Sequence, residues 1–140
     1  MSEGTSHLLA ELLAAWNRHD ADGIAGFCAP GYAGEDVAEA APSRGPEGAR
    51  AAAARYLRAF PDLELTAEEI IVQDTRAALV WQARATQRGP FMNIPATGRS
   101  VEFRGVSVLT IAGGQVTHSL SIWDVAGLLR SLGLLPELPR

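Results

Sequence analysis

Two adjacent glycines, Gly113-Gly114, separate two long runs of β-branched and apolar residues, Ser100–Ile111 and Gln115–Asp124. A two-residue glycine turn between such runs predicts an antiparallel hairpin. At Asp124 the period changes. Val125, Leu128, Leu129 and Leu132 recur at helical spacing, and Gly133 and Pro136 supply the stop that a short C-terminal helix requires. One carboxylate therefore stands where strand becomes helix, and the sequence is read as built around it.

Upstream, Leu8, Leu9, Leu12, Leu13 and Trp16 form one apolar stripe of a first helix, with Ser6 as its expected cap. Asp20 and Asp22 favour the start of a second short helix carrying Ile24, Phe27 and Cys28, with Pro30-Gly31 as its stop. From Tyr32 to Gly45 the chain is small, acidic and rich in Ala, Gly and Pro, and is read as a short strand at most, then loop. Pro46 suits the first turn of a third helix, which Pro61 ends. Leu63–Val72 reads as a strand whose alternation slips near Glu68-Glu69, as a bulge would cause. Ala77–Gln87 alternates cleanly, with Leu79, Trp81 and Ala83 on one face and Gln82, Arg84 and Thr86 on the other. Gly89–Gly98 is a loop with the apolar middle Phe91-Met92-Asn93-Ile94, expected to cover a pocket. Three helices, long strands and a final helix give an α+β fold: helices packed on one face of a curved antiparallel sheet, with a conical internal cavity.

Composition narrows the function. A chain of 140 residues fits one domain spanning 1–140 with room for a core and a cavity. A formal net charge of −4 gives no basic footprint for nucleic acid. Cys28 is the sole cysteine, so no intramolecular disulfide or cysteine-based metal cluster can form, in keeping with a reducing cytoplasm. The N-terminal apolar residues are periodic and carry Glu3 and Glu11, which argues against a signal peptide or membrane span. The three histidines and the acids show no tight ligand spacing for a metal.

Several stretches together resemble the SnoaL-like polyketide cyclases of the NTF2-like superfamily. They are Trp16-Asn17 with His19-Asp20-Ala21-Asp22, Gly45-Pro46-Glu47-Gly48, Ala59-Phe60-Pro61-Asp62-Leu63, the loop Gly89–Arg99, and Trp123-Asp124 leading to Leu129–Leu134. The resemblance implies an NTF2-like cone and a cofactor-free enzyme of secondary metabolism. It further implies a strand-end aspartate, here Asp124, acting as acid/base in aldol closure of a polyketide ring, and a homodimer. The family commonly has a Thr-His pair before the loop glycine, where this chain has Thr86-Gln87-Arg88-Gly89. Relatives include hydroxylases and epoxide hydrolases, so the fold does not fix the reaction.

Read as chemistry, an enolising base needs a carboxylate in an apolar pocket. Asp124 has Ile122 and Trp123 beside it, but an aspartate directly before a helix is also a preferred N-cap, worth about 1 kcal/mol. His118 shares a strand face with Leu120, Ile122 and Asp124, yet six residues of strand put it roughly 20 Å away, so it is a secondary candidate. Donors for a developing enolate oxygen are sought in Gln87, Tyr32, Tyr56 and the indole N–H of Trp16 or Trp81. Trp16, Tyr32, Tyr56, Trp81, Phe91, Met92, Phe103 and Trp123 are the expected wall for a small hydrophobic substrate of the aromatic polyketide type. Water-activating chemistry would instead need Arg84, Glu102 and Asp124 to converge. A third alternative is an accessory protein that binds a ligand without converting it.

Overall fold

The computed structural model describes residues 2–140. Its order is α1 (Ser2–Asn17), α2 (Ala21–Gly26), β1 (Cys28–Asp36), β2 (Ser43–Arg44), α3 (Gly45–Ala59), β3 (Glu64–Gln73), β4 (Arg76–Thr86), β5 (Ser100–Ala112), β6 (Gln115–Trp123) and α4 (Val125–Ser131). The six strands form one curved, open sheet in the order β2-β1-β6-β5-β4-β3, with α1, α2 and α3 on its concave side. Four of the five strand pairs are antiparallel. The β1–β6 pair is parallel, so the expected curved antiparallel sheet carries one parallel pairing.

Local chemistry accounts for most of these elements. Gly113 and Gly114 have φ of 59° and 75°, the pair of positive angles that a tight hairpin turn needs, and β5 and β6 pair across them. The β3–β4 register slips between Ala67 and Glu69, where the alternation predicted a bulge. Asp20 caps α2 by accepting from the Gly23 N–H at 2.9 Å, and Pro46 occupies the first turn of α3. Ser6 is no cap, because α1 already begins at Ser2.

The main departure is β1. Pro30-Gly31 does not end a helix; it lies within a nine-residue strand. Its pairing with β6 skips between Cys28 and Ala33, and a proline is tolerated where a bulge removes the need for its missing N–H. Two apolar clusters hold the layers together. One joins Phe60, Phe103, Trp123, Leu128 and Leu132 at the α3–α4 end, and the other joins Leu8, Leu9, Leu79, Leu109 and Val116 under α1. Phe60, Leu9 and Leu128 are fully buried, each worth about 1.5–3 kcal/mol.

Candidate functional site

The layers do not close completely. Between the concave face of the sheet and α1, α2 and α3 lies a cavity of about 200 Å³. Its roof is aliphatic and aromatic, from Leu12, Leu13 and Trp16 on α1, Ile24 on α2, and Ala49, Ala53 and Tyr56 on α3. Its floor alternates along each strand, so residues two apart share the face. On β6 these are Ser119, Ser121 and Trp123; on β1 they are Tyr32, Gly34 and Asp36. Parallel pairing sets Gly34 beside Ser119 and Asp36 beside Ser121.

Asp36 is the acid best placed for chemistry. Its Oδ1 accepts from the Ala38 N–H at 2.8 Å and from Trp123 Nε1 at 2.9 Å, which fills both lone pairs of that oxygen. Its Oδ2 accepts from Tyr56 Oη at 2.5 Å, which among the described residues leaves one lone pair open on that oxygen. Of the neighbouring acids, Glu39 pairs with Arg55 at 3.3 Å, and Glu35 turns its carboxylate to the opposite face of the sheet, where it pairs with His118 at 2.9 Å. Among the described residues, only neutral donors hold Asp36.

Burial favours the protonated form of two phenols and one thiol on the cavity wall. Burial, and then the hydrogen bond to Asp36, raises the Tyr56 phenol well above the usual tyrosine range. Burial likewise raises Tyr32, whose Oη lies 2.7 Å from Ser119 Oγ. Cys28, buried on the wall, has its thiol pushed up to about 11 by loss of solvent. Trp81 Nε1 donates to Ser107 Oγ at 3.0 Å, and Ser107 Oγ lies 2.8 Å from Ser121 Oγ. Among the described residues no group of three His, Cys, Asp or Glu side chains is arranged to hold a metal ion.

Of the wall expected from sequence, Trp16, Tyr32, Tyr56, Trp81, Phe103 and Trp123 do line the cavity. Phe91 and Met92 do not. Phe91 is core, packed against Tyr56, Phe60 and Trp123, while Met92 is exposed at a turn closed by the Phe91–Ile94 bridge. That loop is no lid, because Gln87 ties it down. Gln87 is fully buried, and its Nε2 faces the carbonyls of Gly89, Ile94 and Pro95 while its Oε1 accepts from Thr97 N and Oγ1. Both ends of the amide are thus spent on backbone and Thr97, so Gln87 offers nothing to a ligand.

Asp124 also lies outside the cavity. It is exposed, and its Oδ1 accepts from the Gly127 N–H at 2.8 Å as the N-cap of α4. His118 shares its face, as parity required, but that is the convex face of the sheet, where it meets Glu35. Arg84 and Glu102 pair with each other at 3.4 Å, both exposed, and do not converge with Asp124 on the cavity. The residues missed from sequence are Asp36, Ser107, Ser119 and Ser121. A signal for the last two was present: if Trp123 faces inward, Ser121 and Ser119 must as well, and Asp124 must not.

Comparison with known proteins agrees with this architecture. The sequence pattern of the SnoaL-like polyketide cyclases matches residues 6–132. AclR from Streptomyces galilaeus, a candidate hydroxylase, is 30% identical with a TM-score of 0.88, over 100% of this chain and 91% of that one. IdmH from Streptomyces antibioticus, a candidate polyketide cyclase, is 26% identical with a TM-score of 0.78, over 91% of this chain and 97% of that one. A protein from Catenulispora acidiphila with a ketosteroid isomerase-like fold shares the fold alone, at 15% identity and a TM-score of 0.80, over 91% and 93% of the two chains. No curated protein sequence matches.

Proposed function

The chain belongs to the SnoaL-like polyketide cyclase family, and from that premise we propose that it is a cyclase or isomerase of small, largely apolar ketones, with Asp36 as its acid/base. The observation that carries this reading is the open lone pair on Asp36 Oδ2, on a cavity wall that is otherwise mostly apolar. In the proposed reaction, Oδ2 takes a proton from the carbon next to a substrate carbonyl and an enolate forms. The enolate carbon attacks a second carbonyl of the same molecule, closing a ring and leaving an alkoxide. The new Asp36 carboxylic acid returns its proton to that alkoxide, so the enzyme ends unchanged and no redox partner is consumed. Tyr56 and Trp123 keep the carboxylate oriented throughout.

Proton removal can be read without the native substrate. 1-Tetralone in deuterium oxide should exchange its α-hydrogens faster with the protein than without it, followed by proton NMR, and Asp36→Asn should abolish the gain. Binding of the ketone with no catalysed exchange would favour a non-converting binder. The likeness to AclR supports a second reading, hydroxylation; it would have to run on Asp36, since Arg84 and Glu102 lie outside the cavity.

We propose further that two copies associate through the convex face of the sheet. There Val80, Val106 and Ile122 form one cross-strand row and Ala78, Val108 and Leu120 the next. The ion pairs Arg104–Glu68, Arg84–Glu102 and His118–Glu35 stand on the same face.

A further inference from the structure

Proton transfer from carbon leaves charge on the carbonyl oxygen, and the Asp36 scheme alone assigns no group to it. Trp81, Ser107 and Ser121 form a chain on the concave face: indole N–H to Ser107 Oγ at 3.0 Å, then Ser107 Oγ to Ser121 Oγ at 2.8 Å. An indole nitrogen donates only, so the Trp81 end has a fixed direction. The two serines carry two hydroxyl protons and share one bond. Whichever serine donates in that bond, the other keeps a proton with no acceptor among the described residues. Both serines line the cavity.

Position matters as much as count. Ser121 is the direct neighbour of Asp36 on one side and of Ser107 on the other. Adjacent strands lie about 4.8 Å apart, so the pair stands roughly 5–10 Å across the floor from the Asp36 backbone. That spacing lets a carbonyl oxygen meet the serines while the carbon beside it faces Oδ2. Trp81 also braces the station. Its ring stands edge-on to Phe103 at 6.1 Å, and its N–H occupies a lone pair of Ser107 that would otherwise invite a donor.

We propose that the Ser107–Ser121 pair, polarised by Trp81, is the donor that receives the substrate's carbonyl oxygen and the enolate oxygen formed from it. This rests on the Asp36 reading, and it makes the cavity selective for ketones over hydrocarbons of the same shape.

The test uses tetralin and 1-tetralone, which differ by one carbonyl, and a Trp81→Phe/Ser107→Ala/Ser121→Ala variant that removes every donor in the chain. Wild-type protein should bind the ketone roughly three- to tenfold more tightly than the hydrocarbon, and the variant should bind the two equally. In the infrared, the carbonyl stretch of bound, carbon-13-labelled 1-tetralone should lie below its value in hexane for the wild type and return towards it in the variant. The wild-type spectrum is decisive even if the variant does not fold. An unshifted stretch, or wild-type binding of the ketone no tighter than of the hydrocarbon, overturns the proposal. Failure here is distinct from failure of Asp36: a shifted stretch without catalysed deuterium exchange keeps the donor and removes the base, and exchange without a shift does the reverse.

Discussion

Asp36→Asn separates chemistry from stability more cleanly than any other change at this site. The asparagine oxygen can replace Oδ1 and accept from Ala38 N and Trp123 Nε1, while its NH₂ replaces Oδ2 and donates to Tyr56 Oη. One bond reverses direction, three lose their charge assistance, and the Tyr56 hydroxyl proton gives up its acceptor. Charged hydrogen bonds contribute about 1.5–3 kcal/mol against about 0.5–1.5 for neutral ones, a difference that solvent at this half-buried site reduces to about 1–2, and the Tyr56 hydroxyl left without its acceptor adds about 1 more, so the expected cost is about 2–3 kcal/mol. For 140 residues the unfolding entropy is about 0.3 kcal/mol/K, which turns that cost into a Tm lowered by about 7–10 °C in a thermal scan. The effect on catalysis should be far larger. An amide has no basic lone pair at the Oδ2 position, and a general base contributes about 10²–10⁴ in rate, so α-hydrogen exchange should fall at least about a hundredfold. Exchange within about threefold of wild type, in a variant whose Tm falls only as expected, would refute the assignment of Asp36 as the base.

The matching change at Asp124 should behave oppositely: Asp124→Ala loses the α4 cap, costs about 1 kcal/mol and about 3 °C in Tm, and leaves exchange at the wild-type rate. Gln87→Leu removes the donor facing the Gly89, Ile94 and Pro95 carbonyls, of which Ile94 keeps the Phe91 N–H, and the acceptor of Thr97, and should destabilise by about 2–3 kcal/mol, read as a fall in the urea midpoint. Cys28, raised from 9.0 to about 11, should carry roughly a hundredfold less thiolate at pH 8 and alkylate at least that much more slowly in native protein than in urea; equal rates would contradict its burial. The protein should sediment as a dimer and Val106→Glu as a monomer; a monomeric wild type at high concentration would remove the convex-face interface.

What could be read from the chain follows from how local each signal is. The Gly113-Gly114 hairpin, the bulge before Glu69 and the proline-started α3 are written in neighbouring residues, and each stands where expected. The first strand is different. Cys28–Asp36 contains Ala, Pro, Gly and two acids, with little intrinsic preference for a strand. It is held by parallel pairing to a segment 85 or more residues later, a contact that no local window contains. Reading that segment as a short strand at most, then loop, left Asp36 out of the expected site. Asp124 was misplaced for another reason: a carboxylate beside a tryptophan suggested a pocket, yet neighbours on a strand point to opposite faces. Gln87 shows the same limit in a loop, since nothing in Thr86-Gln87-Arg88 reveals that the amide folds inward on five backbone and threonine groups.

The sixth strand has a consequence for how such a protein can diversify. Ser119, Ser121 and Trp123 look one way, and His118, Leu120 and Ile122 the other. Alternate letters of the six-residue word His118–Trp123, beyond the register slip at Thr117, are therefore free to change on separate schedules, one set tuning what is held inside and the other which neighbour is tolerated outside. A single inserted residue would break this independence by exchanging the two vocabularies along the whole length of the word.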